Sequence, residues 1–383
     1  MNAQQWLEKL VSFDTTSRYS NLALIQEVQQ FLTSFGYQCS LSHNADNTKA
    51  NLFATLPSST GETQGGIALS GHTDVVPVDK QIWETSPFEL TEKGSRLYGR
   101  GTCDMKGFIA CCLAIVPKLV ELERRKPIHF AFSYDEEIGC LGAPVMLEAL
   151  KEKGQQIDGC VVGEPTNMRV VVAHKGINVF SCTVHGKAAH SSLTPRGCNA
   201  IEHAARLICH IRDLADIYRQ QGPFDNDYDV PYTTMTSNMI QGGIAVNTIP
   251  ELCQFNYEFR NLPGIPKEEI QAKIDAYVKD ELIPRMKKEF PEANVEISEV
   301  SSSPGLEASE EAAITNLARE LLRDSDTTKV AYGTEAGLFQ KAGIPTIVCG
   351  PGHIEQAHKA NEFIEKDQLQ ACEDFLLKLL KVN

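Results

Sequence analysis

Short apolar stretches alternate with amphipathic stretches over the first half of the chain. The stretches "GGIALSGHTDVVP", "PIHFAFSYDEE" and "DGCVVGEPT" are typical of buried strands. Between them, "DMKGFIACCLAIVPKLVELERR" and "GAPVMLEALKEKG" repeat apolar residues at helical spacing. This alternation predicts an α/β fold with a mostly parallel sheet that is flanked by helices. The ligands of such sheets bind beyond the carboxyl ends of the strands.

The pattern changes after about residue 176. "INVFSCTVHGKAAHSS" alternates like a half-exposed strand, and a helix, two strands, a second helix and a last strand follow. Because 383 residues exceed one ordinary domain, we predict an inserted α+β domain with the order βαββαβ. The predicted boundaries give one domain from residues 1–176 and 304–383, and a second from residues 177–303.

Charge and composition exclude several classes of partner. The chain has 50 acidic and 36 basic residues and a net charge of −14, which argues against binding to nucleic acid or to anionic membranes. The longest apolar run, "FIACCLAIV", is too short to span a membrane, and the N-terminal stretch does not resemble a signal peptide. The twelve cysteines are scattered and form no C-x-x-C pair, which favours a reducing, cytoplasmic location.

Three adjacent carboxylates, Asp135, Glu136 and Glu137, end the predicted strand in "SYDEEIGCLG". Such neighbours repel one another and raise each other's pKa unless a positive charge lies among them. On an exposed surface the cluster would have little meaning. At the ligand-binding edge of a sheet it requires a cationic partner.

Other candidate ligands follow apolar stretches or enter Gly/Pro loops elsewhere in the chain. Imidazole and carboxylate together suit zinc, and also cobalt or manganese. Two metal ions that share one carboxylate would offset the repulsion within the cluster. Each residue alone is more often an ordinary surface or structural group, but chance placement of the whole set at strand ends is much less probable. The set consists of His72, Asp104, Glu137, Glu164 and His358.

The motifs "GHTDVVP", "GRGTCDMKG", "DEEIG", "GEPT" and "GPGHIEQAH" resemble, in this order, those of the M20 family of dinuclear zinc peptidases and deacylases. The resemblance covers essentially the whole chain and includes an inserted lid domain. Within the family, "HKG", "YGTEAGLFQKAGIPTIVCGPG" and "QAHKANEF" are most similar to a deacetylase of an N-acetylated amino acid. One departure is Ala360, where the family usually has proline.

The resemblance implies a role for each candidate metal ligand. Asp104 would bridge two Zn²⁺ ions, for which Co²⁺ or Mn²⁺ could substitute. His72 and Glu164 would complete one metal site, and Glu137 and His358 the other.

The same resemblance implies three catalytic residues. Glu136 would be the general base that activates a metal-bridged water, and Asp74 would orient His72. His190, in "GKAAHSS", would donate a hydrogen bond to the oxyanion in the active site of the neighbouring subunit. The resemblance therefore also implies a homodimer that forms through the lid domains.

The implied activity is hydrolysis of a linear amide in a small N-acyl amino acid. Arg260 and Asn247 resemble the carboxylate-binding residues of the family, and Gly333 and Thr334 lie in a loop that resembles a substrate contact. Desuccinylation, aminoacylase activity and dipeptide cleavage use the same machinery and stay open as alternatives. A metal-binding protein without catalysis is a further alternative, which the presence of Glu136 disfavours.

Overall fold

The computed structural model describes residues 1–382. It divides into two compact units. The first contains Met1–Ala173, Leu306–Lys329 and the chain from Thr334 onward. The second contains His174–Gly305 and Val330–Gly333. Compared with the predicted boundaries, the second unit gains a few residues at each end and a short separate segment.

The segment before the second unit contains most of the main sheet. Its elements are α1 Ala3–Val11, α2 Leu22–Ser34, β1 Gln38–His43, β2 Ala50–Leu56, β3 Ile67–His72, β4 Thr91–Lys93, β5 Arg96–Tyr98, α3 Lys106–Glu121, β6 Ile128–Ser133, α4 Gly142–Glu152, β7 Gly159–Val162 and β8 Val171–His174.

The second unit follows the predicted βαββαβ order with two very short strands added. A π-helical turn, Val278–Leu282, joins its last two helices. Its elements are β9 Ile177–His185, β10 Ala189–His190, α5 Ala200–Gln221, β11 Thr234–Gly242, β12 Thr248–Ile249, β13 Leu252–Arg260, α6 Lys267–Tyr277, α7 Ile283–Glu289 and β14 Asn294–Ser303.

The chain then returns to the first unit and completes it. The remaining elements are β15 Leu306–Glu307, α8 Ala313–Leu322, β16 Thr328–Val330, α9 Ala336–Lys341, β17 Thr346–Val348, β18 Phe363–Glu365 and α10 Lys366–Val382.

The main sheet has a parallel centre and antiparallel edges. Its strand order is β1-β2-β6-β3-β7-β17-β8-β15, with β16 paired to β8. Strands β6, β3, β7 and β17 run parallel, whereas β2 and β8 join them in antiparallel orientation. The predicted α/β class with a mostly parallel central sheet is therefore confirmed, and the β1–β2 hairpin at one edge is an addition that the sequence pattern did not indicate.

Helix α3 lies at the centre of the first unit and explains the apolar run that it contains. Cys111, Cys112 and Leu113 are completely buried, and α1 and α10 both pack against the helix. Truncating a buried leucine such as Leu113 to alanine would cost about 2 to 5 kcal/mol. Helix α3 packs against α1, α10 and β3. The loop that contains Asp104 leads directly into this well-packed helix.

The second unit has an antiparallel sheet with the order β11-β13-β9-β14. Helix α5 packs against β11, β13 and β9, and it buries the apolar side chains of Ala204, Leu207 and Ile211. Among the described residues of both units, no helix combines the length and the apolar character that crossing a membrane requires.

Candidate metal centre

The parallel register of the central strands places several polar residues at one edge of the sheet. His72 is the last residue of β3, and it lies opposite Ser133, the last residue of β6. Glu137 follows β6 by four residues, and Glu164 follows β7 by two. Since the carboxyl ends of parallel strands meet at the same edge, these residues converge although they are far apart in sequence.

Asp104 lies at the centre of the cluster and contacts two histidines through different oxygens. Its Oδ1 is 3.0 Å from Nε2 of His72, and its Oδ2 is 3.2 Å from Nε2 of His358. On one side, His72 Nε2 is also 3.6 Å from Oε1 of Glu164. On the other side, His358 Nε2 is 3.0 Å from Oε2 of Glu137. The arrangement thus consists of two triads that share one carboxylate.

Buried negative charge dominates this cluster. Burial, followed by the nearby Asp104 carboxylate, raises the pKa of Glu137 to about 7. The same two causes raise the pKa of Glu164 well above its usual value. Burial opposes ionisation of Asp104 too, but hydrogen bonds from His358 and His72 lower its pKa.

The residues fit a bound cation. Oε1 of Glu137 is buried and has no hydrogen-bond partner within residues 1–382, although a buried oxygen normally requires one. The ligand atoms of His72, Asp104 and Glu137 lie within 4.8 Å of one another. Imidazole and carboxylate are ligands that transition metals accept, and a dication would neutralise the excess of carboxylates.

Glu136 lies on the side of the cluster that contains His72 and Glu164. One ligand atom from each of these three residues lies within 4.8 Å of the others. Burial raises the pKa of Glu136 to about 8, since the opposing effect of His72 is smaller and Glu137 adds to the increase. A carboxyl group with a pKa near neutrality can both accept and return a proton.

Asp74 differs in detail from its predicted role. Its backbone oxygen, rather than its carboxylate, lies 2.9 Å from Nδ1 of His72, whereas the nearest carboxylate contact to that nitrogen is 3.7 Å. Nδ1 must donate to the carbonyl, so that Nε2 is left free to bind a metal. The carboxylate instead accepts hydrogen bonds from the amides of Glu136 and Glu137 and from the hydroxyl of Ser17.

Asp135, the first carboxylate of the acidic cluster, turns to a separate partner. It is buried, has a backbone φ of 53° and forms an ion pair of 2.5 Å with Nζ of Lys49. Cys103, the residue before Asp104, is also buried, and its Sγ lies 3.3 Å from the backbone oxygen of His353. Asp135 and Cys103 are absent from the groups whose ligand atoms converge within the described chain.

Sequence reasoning missed Glu362, which fixes the loop that contains Asp104. The Glu362 carboxylate is almost completely buried and accepts hydrogen bonds from the amides of Gly101, Cys103 and Asp104 at 2.8 to 3.1 Å. It also pairs with the buried Arg100 guanidinium at 2.6 Å. The only available signal was its position just after the "HKAN" stretch, which gave no hint of these partners.

Glu335 is a second buried carboxylate that the sequence did not reveal. It accepts hydrogen bonds from the hydroxyls of Ser70 and Ser133, at 2.6 and 2.7 Å. These two serines belong to β3 and β6, the strands that lead to His72 and to the acidic cluster. Glu335 therefore ties the two strands together directly below the candidate metal centre.

The remaining predicted site residues have varied environments within their own units. His190 is exposed, with Nδ1 2.8 Å from the hydroxyl of Ser192. Arg260 is half-buried and pairs with Glu258 at 3.2 Å. The other residues are Asn247, which is exposed; Gly333, where a Cβ would lie 2.5 Å from Ile177; and Thr334, which is buried and accepts a hydrogen bond from Ala336.

Comparison with known proteins places these features in a family. Residues 68–382 match the model of peptidase family M20/M25/M40. The chain belongs to this family. It is 33% identical to an acetylornithine deacetylase of Pasteurella multocida over 96% of this chain and 93% of the relative. It is 34% identical to an acetylornithine deacetylase of Myxococcus xanthus, over 97% and 95% of the two chains.

Solved structures support the fold. An M20 family metallo-carboxypeptidase of Sulfolobus solfataricus has a TM-score of 0.78 at 16% identity, with 100% of this chain and 99% of the other covered. A dinuclear metal-binding peptidase of Bacillus subtilis has a TM-score of 0.64 at 16% identity, with 99% and 97% covered. The M20 resemblance that the motifs indicated is confirmed, and the protein is a hydrolase of that family.

The contacts of Glu362 yield a prediction for metal affinity. In Glu362→Gln, the NH2 group of the new side chain must face at least one of the N–H groups that now donate to the carboxylate, so that this hydrogen bond is lost. Arg100 also loses its counter-charge. We expect the folded variant to bind a transition metal about 10- to 100-fold more weakly, as measured by competition with a chelator. Glu365→Gln is the matched control, because Glu365 lies only three residues further on, at the end of β18, and pairs with Arg96 at the surface. Equal affinities for the two variants would show that Glu362 does not position Asp104.

Proposed function

We propose that this protein hydrolyses N2-acetyl-L-ornithine to L-ornithine and acetate, a step of arginine biosynthesis. The observation that carries the proposal is the similarity over nearly the full length to acetylornithine deacetylases of several bacteria. The two triads that share Asp104 also support the proposal, because a metal centre on these ligands would activate a water for amide hydrolysis.

We propose two Zn²⁺ ions as the cofactor. His72 and Glu164 would hold one ion, His358 and Glu137 would hold the other, and Asp104 would contact both. When bound, the ions supply Lewis-acid chemistry, since they polarise an acyl oxygen and lower the pKa of a water. Cobalt and manganese accept the same ligands and would substitute.

Glu136 performs the proton transfers in the proposed mechanism. Its carboxylate accepts a proton from the attacking water as the water oxygen bonds to the acyl carbon. When the bond from carbon to nitrogen breaks, Glu136 returns the proton to the leaving amine. Burial raises the pKa of Glu136 in the metal-free site, and the positive charge of bound ions would lower it again and favour the carboxylate that accepts the proton. Asp74 supports the transfer because its carboxylate holds the backbone amides of Glu136 and Glu137 in place.

The second unit is proposed to be a lid that forms a homodimer. Strand β11 pairs with β13 on one side and forms an edge of its sheet. Met239 and Ile240 on this strand, and Ile244 and Val246 in the turn that follows, are exposed apolar side chains. An unpaired strand edge with apolar side chains is a surface that another chain can cover, and a second copy of the lid offers the same edge.

We propose that His190 and Arg260 act on the substrate from the lid. Nδ1 of the exposed His190 imidazole lies 2.8 Å from the hydroxyl of Ser192. Nε2 is therefore the proposed donor to an oxyanion in the partner's site. The Arg260 guanidinium suits a substrate carboxylate. Asn247, which is exposed in the turn between β11 and β13, is proposed as a further substrate contact. Gly333 and Thr334 are proposed to complete these contacts through backbone and hydroxyl groups.

The substrate is tested with a panel of amides on the zinc-loaded enzyme. Acetylornithine, acetylmethionine, succinyl-diaminopimelate and a simple dipeptide separate the proposed activity from the related activities of aminoacylases, desuccinylases and dipeptidases. We expect the highest kcat/KM for acetylornithine. A higher value for any other member would replace the proposed substrate with that one.

The free thiols of all twelve cysteines fit the proposed cytoplasmic location.

The first prediction of the proposed mechanism concerns metal content. Protein that is saturated with zinc and then desalted should retain about two equivalents, as measured by elemental analysis. Asp104→Asn should lower this content, because Asp104 contacts both histidines. Asp135→Asn is the control, since Asp135 pairs with Lys49 and should leave the content unchanged. Two tightly bound equivalents in Asp104→Asn would contradict a shared carboxylate.

The next prediction separates the base from the metal ligands. Glu136→Gln keeps the size of the side chain but cannot accept a proton, so that kcat should fall by roughly 10² or more while zinc content stays near that of the wild type. In Glu137→Gln, by contrast, zinc content itself should fall, because this side chain contacts His358. Turnover of Glu136→Gln within a few-fold of the wild type would exclude Glu136 as the base.

The third prediction tests whether His190 acts across the dimer. His190→Ala should lower kcat far more than it changes KM or metal content, because an oxyanion donor acts in the transition state. In a mixed dimer of Glu136→Gln and His190→Ala subunits, a trans arrangement gives one site with both defects and one with neither. Mixing two nearly inactive variants should then restore activity. Verified subunit exchange without recovery would show that His190 acts within its own chain.

A further inference from the structure

A group of potential metal ligands lies within the second unit and takes no part in the proposed reaction. Cys198, His203 and Glu289 each offer one ligand atom, and these atoms lie within 4.8 Å of one another. Cys198 precedes α5, His203 lies in its first turn, and Glu289 ends α7. We propose that these three residues bind one borderline-soft divalent ion, such as Zn²⁺ or Co²⁺, and thereby join the start of α5 to the end of α7.

Burial favours a binding site over an ordinary surface cluster. Cys198 is completely buried and His203 is 3% exposed. Oε2 of Glu289 lies 3.1 Å from Nε2 of His203, and this carboxylate side chain is 45% exposed. An ion can therefore approach from solvent past Glu289 and reach the two buried ligands. The exposed side also leaves room for water as a fourth ligand, which zinc with three protein ligands requires.

The imidazole of His203 provides a second, independent observation. Its Nδ1 is buried and has no hydrogen-bond partner within residues 1–382. With Nε2–H donating to Glu289, Nδ1 keeps the lone pair, and binding of a cation through Nδ1 would offset the cost of burying this nitrogen without a partner. Without an ion, Nε2 of His203 contacts the Glu289 carboxylate, and the Cys198 thiol donates a weak hydrogen bond of 3.9 Å to the backbone oxygen of Met286 while also interacting with Glu289.

The ligand types select the ion. Thiolate and imidazole exclude Mg²⁺ and Ca²⁺ and favour zinc or cobalt. Ligand atoms around a tetrahedral zinc lie roughly 3 to 4 Å apart, so that closing the group requires only a small movement, which the exposed Glu289 side chain permits.

Cobalt absorption distinguishes this site from the metal centre of the first unit. The ligands of that centre are imidazoles and carboxylates, whereas a cobalt ion on Cys198 gives a near-ultraviolet charge-transfer band from sulfur to metal. We expect titration of the full-length protein with Co²⁺ to show this band together with an equivalent of cobalt beyond those of the first centre. The inference does not depend on the proposed function, because the readout needs no activity.

Three variants make the test specific. Cys198→Ala should abolish the band, and Glu289→Gln, at a half-exposed position that the fold tolerates, should weaken cobalt binding at this site. Cys253→Ala is the control, because Cys253 is another buried thiol of the same unit and lies outside the group. If excess cobalt gives no band in the wild type, the three residues form a hydrogen-bonded cluster only and the proposal is wrong. A band that persists in folded Cys198→Ala or Glu289→Gln with unchanged affinity would overturn it equally.

Discussion

The geometry of the first unit depends on the contact of one carboxylate with two imidazoles. Asp104 reaches His72 at the end of β3 and His358 in the loop between β17 and β18. These residues come from distant parts of the chain, so that both triads are lost if Asp104 moves. A buried carboxylate is stable in ionised form only when charges or donors surround it. In the metal-free protein the two histidines supply this environment, and in the metal-loaded protein the bound ions would supply it.

The surrounding polar groups fix the ligands before any metal binds. Glu362 holds the backbone amides of Cys103 and Asp104, and Glu335 holds the serines of β3 and β6. Asp74 connects His72 to the turn that contains Glu136. Each of these carboxylates accepts hydrogen bonds from backbone amides or hydroxyls close to the candidate ligands. Such second contacts around a metal centre orient the ligands and tune their affinity.

The sequence predicted the convergence of the candidate ligands better than it predicted the groups that support them. His72 and Glu164 follow apolar strands, and the parallel sheet that the pattern indicates brings such positions together. His358 lies in an irregular loop, and only its motif pointed to the site. The supports left no such signal, because the partners of Glu362 are backbone amides, whose directions depend on the folded loop. For the same reason, the sequence could not show that His72 contacts the backbone carbonyl of Asp74 and not its carboxylate.

The two units place their chemical groups under different constraints. In the first, a parallel sheet gathers ligands at strand ends, and a deeply buried network holds them with fixed orientation. In the second, strands alternate buried and half-exposed residues, and the polar groups of interest lie on edges, turns and helix ends, as His190 and Glu289 do. Groups at such positions are accessible to a partner chain or to an ion from solvent. The buried network of the first unit is therefore suited to a preorganised site, while the exposed positions of the second unit are suited to contacts with a partner chain or an ion.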